Sequence, residues 1–206
     1  MLEELPLAGA SVSFDPHWLS PAQADGLFEA LHAGIDWEVH RIRLFGRLVD
    51  SPRLSSWIGD TGAGYVYSGV RFEPRPWPPV LAALRDRVSA VAGEQFNSVL
   101  ANLYRNGRDA MGWHSDDERE LGSRPVIASV SLGAARRFVL KHRRLPERRL
   151  ALELPHGSLL LMSGDTQSNY RHCLPRTVRP IGPRINLTFR RIRSGMEGSA
   201  CGLAGG

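Results

Sequence analysis

Seven consecutive residues, Arg184-Ile185-Asn186-Leu187-Thr188-Phe189-Arg190, alternate polar and apolar without a break. That is the two-residue period of a half-buried strand, and it does not match the 3.6-residue period of a helix face. Ile185, Leu187 and Phe189 face one side. Arg184, Asn186, Thr188 and Arg190 face the other, so both arginines can enter one pocket. The run from Val99 to Tyr104 behaves alike and puts Asn102 and Tyr104 on one face. After residue 95 the chain breaks into short strand-like segments separated by Gly and Pro turns. They are Ser98 to Tyr104, Ile127 to Leu132, Arg137 to Lys141, Arg149 to Leu154, Ser158 to Met162 and Arg184 to Ile192. Many short antiparallel strands predict a mainly β fold with flanking helices, closed as a barrel or a double-sheet jelly roll.

The helices lie before residue 95. Ser20-Pro21-Ala22-Gln23 predicts a helix start, with Ser20 as N-cap, proline at the first position and Gln23 completing a capping box. This helix should bury Leu27, Phe28 and Leu31 and stop near Gly34. A second should start at Pro78-Pro79 and end before Gly93, with Leu81, Leu84, Val88 and Val91 inward. The Gly-rich, polar residues from Ser194 onward are expected to be disordered. A chain of 206 residues suits one structural unit.

The chemistry is concentrated in His114-Ser115-Asp116, His172, and the arginines that follow. Two imidazoles and one carboxylate make a facial triad, which holds iron(II) and leaves the opposite face of the metal open. An arginine can clamp a free carboxylate through two parallel hydrogen bonds. His-x-Asp alone carries little weight in a chain with 7 histidines; the weight comes from order, spacing and strand placement. A structural zinc site is disfavoured, because no fourth ligand stands at closed-site spacing. His17, His32, His40, His142 and His156 read as surface or structural histidines, His156 at a turn. Cys173 reads as a small packed residue.

The net charge is +5 and the isoelectric point about 9.9, a balance that favours polyanionic partners without requiring them. The densest basic run, Lys141-His142-Arg143-Arg144 through Arg148-Arg149, lies between two strand-like segments. It reads equally as a phosphate-tracking hairpin loop and as a solvated one. No stretch is long and apolar enough to span a bilayer, and the acidic start lacks a signal-peptide pattern. Two cysteines fit a reducing compartment. A monomer is expected, cytoplasmic in a bacterium or nuclear in a eukaryote.

Five blocks resemble a known family in its own order. They are Asn102-Leu103-Tyr104, Trp113-His114-Ser115-Asp116-Asp117-Glu118, Ile127 to Gly133, His172, and Arg184 to Arg190. They closely resemble the AlkB family of iron(II)- and 2-oxoglutarate-dependent nucleic-acid dealkylases. The likeness runs from about Phe45 to Ile192. Leu44-Phe45-Gly46 and Asp116 to Leu121 look most like the branch that acts on double-stranded DNA. The resemblance implies a double-stranded β-helix, or jelly roll, over residues 96–193. Residues 1–95 would carry the N-terminal helices and a nucleotide-recognition lid, and 194–206 the tail.

The resemblance also implies roles. His114, Asp116 and His172 would hold Fe(II). Arg184 would pair with the distal carboxylate of 2-oxoglutarate, and Asn102, Tyr104, Thr188 and Arg190 would complete that pocket, with O2 as the second cosubstrate. Tyr67 would stack on a flipped base opposite His114, Tyr65 would touch the base edge or backbone, and Ser68 belongs to the same segment. Glu118 would read the exocyclic amino group. Phe45 matches an apolar finger that enters the duplex, and reads as well as a core aromatic. Arg53, on a loop over the active site, is assigned to DNA contact with Phe45, Lys141, Arg143 and Arg144. The implied reaction is oxidative demethylation of 1-methyladenine and 3-methylcytosine in DNA, releasing formaldehyde, succinate and CO2. The same chemistry on RNA, or a catalytically inactive nucleic-acid-binding relative, are the alternatives.

Overall fold

A computed structural model describes residues 1–44, 47–67 and 70–193; within 41–44, 47–48, 65–67 and 70–72 it gives the backbone course alone. The predicted alternation becomes a strand, β15 (Arg184–Arg190), in the interior of a seven-stranded antiparallel sheet, between β10 and β8. The order across that sheet is β1 (Glu3–Glu4), β2 (Ser11–Asp15), β13 (Ser158–Ser163), β10 (Ile127–Gly133), β15, β8 (Ser98–Tyr104) and β5 (Leu54–Gly59). A four-stranded antiparallel sheet faces it, in the order β12 (Arg149–Leu154), β11 (Arg136–His142), β14 (Tyr170–Leu174) and β9 (Met111–His114). Two small hairpins complete the β structure: β3 (Arg41–Leu44) with β4 (Arg47–Asp50), and β6 (Tyr65–Tyr67) with β7 (Val70–Phe72). Two facing antiparallel sheets with helices at one side make the expected jelly roll.

The alternation on each central strand divides the interior in two. Ile185, Leu187 and Phe189 of β15, Val99, Ala101 and Leu103 of β8, and Ala128, Val130 and Leu132 of β10 point to one face. There they pack under α1 (Pro21–Gly34) and α2 (Pro79–Ala92), which contribute Leu31, Leu81, Leu84 and Val88. Each such side chain, fully buried, is worth about 1.5–3 kcal/mol. The other face of the same strands looks toward the four-stranded sheet and carries the polar residues.

Both helices begin and end where the sequence signals place them. Ser20 accepts from the Gln23 backbone and the Gln23 side chain accepts from the Ser20 backbone, a reciprocal capping box. Gly93 closes α2 in the left-handed conformation at φ 64°. One expected core residue is misplaced: Val91 is 44% exposed. The buried face follows Leu81, Leu84 and Val88, and the next contact on it is Ala92, so Val91 turns outward.

The expected boundary at residue 95 is crossed by the larger sheet. β2 and β5, both unpredicted, pair with β13 and β8 respectively. β5 is buried along nearly its whole length, so it has no polar alternation to reveal it. The segment 194–206 lies outside the described residues, as do Phe45 and Ser68.

Candidate active site

β9 and β14 are neighbours in the smaller sheet, and their register sets His114 opposite His172. The two imidazole rings meet edge-on, with centroids 4.2 Å apart. Asp116 follows two residues after His114. Its backbone N–H donates to Gln167 Oε1 at 3.0 Å, which fixes the turn that brings its carboxylate to the histidines. His172 Nε2 stands 3.5 Å from Asp116 Oδ2. One donor atom from each of the three residues lies within 4.8 Å of the others. His114 Nδ1 is 2.9 Å from the Gly112 carbonyl oxygen. A proton on Nδ1 donates to that carbonyl and leaves the Nε2 lone pair for a metal.

The electrostatics suit a metal cation. Burial opposes a charge on Asp116, but Arg190 and the two histidines outweigh it and hold the carboxyl at about 2. Arg190 Nη2 donates directly to Asp116 Oδ1. Burial, with His114 and Arg190 beside it, pushes His172 down to about 3. Burial also lowers His114. Both imidazoles are therefore neutral at pH 7 and the carboxylate is charged, the protonation states that ligate iron(II).

β15 supplies the other half of the pocket. Asn186, Thr188 and Arg190 line it, with Asn102 and Tyr104 from β8 and the triad opposite. Arg184 lies deeper, 1% exposed, where Nη2 donates to Ser131 Oγ at 2.9 Å and the guanidinium stacks 5.2 Å from the Tyr104 ring centroid. Among the described residues its buried Nε and Nη1 have no hydrogen-bond partner. Burial lowers its pKa to about 10, so it stays charged. A buried cation with unmet donors is costly unless an anion meets it, and a planar guanidinium matches a carboxylate. The residues present thus fit a 2-oxo acid at one end of the pocket and iron at the other.

Two assignments change. Arg53 is 5% exposed, and its Nε donates to Asn102 Oδ1 at 2.7 Å. It stands behind Asn102 of the pocket wall, because a buried guanidinium must be hydrogen-bonded, and it does not reach outward for DNA. Arg143 turns back from the basic loop to donate to Ser115 Oγ at 2.8 Å, to Asp117 and to the Gln167 carbonyl. Ser115 and Asp117 flank Asp116, so Arg143 braces the metal-ligand turn and has little charge left for a phosphate. The rest of the loop forms as expected between β11 and β12, with Lys141 and Arg144 exposed. Glu118 sits half-buried just before a 3-10 turn at Arg119–Leu121. Tyr65 and Tyr67 stand on β6, paired with Phe72 and Val70. His156 is structural: Nδ1 accepts from Gly133 N at 2.7 Å and Nε2 lies 3.1 Å from Asp25.

Sequence reasoning passed over Ser131 and Gln167. Ser131 shares the pocket face of β10 with Ser129, and the same period-two alternation would have found it. Gln167 sits on a single helical turn, α3 (Thr166–Asn169), which has no periodic signal.

Fold and site together define a mononuclear oxygenase of the jelly-roll class. The family model described as "2OG-Fe(II) oxygenase superfamily" matches residues 11–190. The chain is 45% identical over 181 residues to the bovine DNA oxidative demethylase ALKBH2, covering 83% of this chain and 65% of that protein. The human ALKBH2 is 44% identical over the same length, with 69% of it covered. The bovine alpha-ketoglutarate-dependent dioxygenase alkB homolog 3 is 38% identical over 196 residues, covering 91% of this chain and 68% of that one. In fold, the solved structure of OsALKBH1 superposes at a TM-score of 0.62 and 17% identity, covering 93% of this chain and 100% of that one. The chain belongs to the 2OG-Fe(II) oxygenase superfamily and, within it, to the AlkB family.

Proposed function

We propose that this enzyme is a DNA repair dioxygenase that removes methyl groups from the ring nitrogens of alkylated bases, with 1-methyladenine and 3-methylcytosine as its substrates. The observation that carries the reading is a metal triad in a pocket whose lining residue Tyr104 is backed by the buried guanidinium of Arg184, in a chain 44% identical to a human DNA oxidative demethylase. Iron(II), 2-oxoglutarate and O2 together supply the oxidising chemistry: one oxygen atom goes to succinate as CO2 leaves, the other to the N-methyl carbon, which departs as formaldehyde.

The protein's own residues bind, orient and exclude water. Arg184, set by Ser131 and Tyr104, takes the distal carboxylate of the 2-oxo acid. Arg190 fixes one oxygen of Asp116 and leaves the other facing His172. The Asp116 backbone is held by Gln167, and the turn around it by Arg143. Tyr67 and Glu118 are the residues proposed to stack on the extruded base and to meet its positive charge. Phe45 is proposed to fill the duplex where the base has left. Phe45→Ala should then lower activity on duplex more than on single strand, and an equal loss on both would remove the finger role.

The test is formaldehyde release from oligonucleotides carrying 1-methyladenine or 3-methylcytosine, with and without 2-oxoglutarate under iron(II). Release that requires 2-oxoglutarate is the expected result. Succinate without formaldehyde would move the substrate to RNA or protein, and neither product would leave an inactive binding relative.

A further inference from the structure

Strand alternation gives the smaller sheet a second working face. Trp113 precedes His114 on β9 and Arg171 precedes His172 on β14, so both side chains point away from the histidines to the outer face, where they line one cleft. Lys141 of β11 lies opposite Arg171 in the next strand pair. With His142, Arg143 and Pro146 these residues line an outward cleft of about 290 Å³. That is the lower edge of the range, roughly 300–1,000 Å³, that holds a small ligand.

The cleft has the wrong composition for an idle surface. Trp113 is 50% exposed, although tryptophan is among the costliest side chains to leave in water. Lys141 and Arg171 are exposed and, among the described residues, have no acidic partner. Arg149, opposite Lys141 in β12, continues the basic row. Arg143, which lines the cleft, is paired with Asp117. An aromatic plane between unpaired cations is the chemistry that holds an unpaired nucleotide, the base on the ring and the phosphates on the cations. Among the described residues β9 is also the edge strand of its sheet, so a strand leaving the metal pocket can pass over that edge to the outer face.

We infer that this cleft, floored by Trp113 and flanked by Lys141 and Arg171, binds an unpaired nucleotide of the substrate strand flanking the one under repair. The inference rests on the nucleic-acid reading of the substrate. The test is fluorescence anisotropy with an unmodified single-stranded oligonucleotide, using the full chain. Trp113→Ala should weaken binding roughly 5- to 150-fold, the span of one base stacked on an aromatic, and Trp113→Phe should restore most of it. Lys141→Gln with Arg171→Gln should lower the slope of log K against log salt by about 0.7 per charge removed.

Binding by Trp113→Ala within twofold of the parent would overturn the cleft while leaving the substrate reading intact. So would loss of binding that Trp113→Phe fails to restore and that comes with a lowered unfolding temperature, since that marks a packing role. A parent chain that binds no oligonucleotide at all would overturn both readings.

Discussion

The two ends of β15 hold one arginine each, and the two are treated differently. At one end Arg190 is paired with Asp116, so the metal half of the pocket balances its charges internally. At the other end Arg184 is equally buried, yet among the described residues it rests on a serine hydroxyl and an aromatic ring and has no carboxylate partner. The first arrangement positions a group the protein already owns. The second is completed only by an anion from outside. A buried cation without its counter-charge lowers the stability of the free protein and returns that energy on binding, which marks a binding end as distinct from a bracing end.

The largest effect should come from breaking the balanced end. Asp116→Ala removes a metal ligand and strands Arg190, so turnover should fall to background and the metal-free protein should lose about 3–5 kcal/mol. Near-normal formaldehyde release from that variant would break the triad assignment. Next, Arg184→Met should raise the KM for 2-oxoglutarate by roughly 30-fold or more, the cost of a lost charge-assisted pair at about 2–5 kcal/mol. The same change should leave the metal-free protein as stable as the parent or more so, the opposite sign to Asp116→Ala; thermal unfolding of both variants compares the two ends directly. A destabilised Arg184→Met would mean that its present contacts already satisfy it.

Arg143→Gln should weaken iron binding about 10-fold, the low end for partners that hold a ligand in place. Anaerobic titration with iron(II) measures this, and unchanged affinity would return Arg143 to the surface.

A separate effect is one of pH. His172 is held at about 3, against about 6.5 in an unfolded chain. The unfolded chain therefore takes up a proton that the folded one refuses. The metal-free protein should lose stability as pH falls from about 6.5 toward 3, on the order of 1 kcal/mol per pH unit. Urea midpoints at pH 7 and pH 5 test it, and His172→Gln should flatten the slope.

The parts of the fold that sequence reasoning found are those with one dry and one wet or polar face. β8 and β15 alternate, and they carried both the strand assignment and the pocket residues with them. β5 shows no alternation because both its sides are covered, and β9 is only four residues long. The metal ligands could be read because coordination restricts residue type and spacing. The arginines could not be sorted in the same way. Arg53 and Arg143 have the composition of surface cations, and only contacts with Asn102, 49 residues away, and with Ser115, 28 residues away, turn them inward.

The pairing of β2 with β13 also orders events in time. Residues 11–15 find their place in the larger sheet only against residues 158–163, so on a ribosome one of the first strands made waits for one of the last. Closing so long a loop is slow, and the apolar groups of β2 stay uncovered meanwhile. A nascent chain stalled short of β13 would have an unfinished sheet edge and would be a natural client for a chaperone.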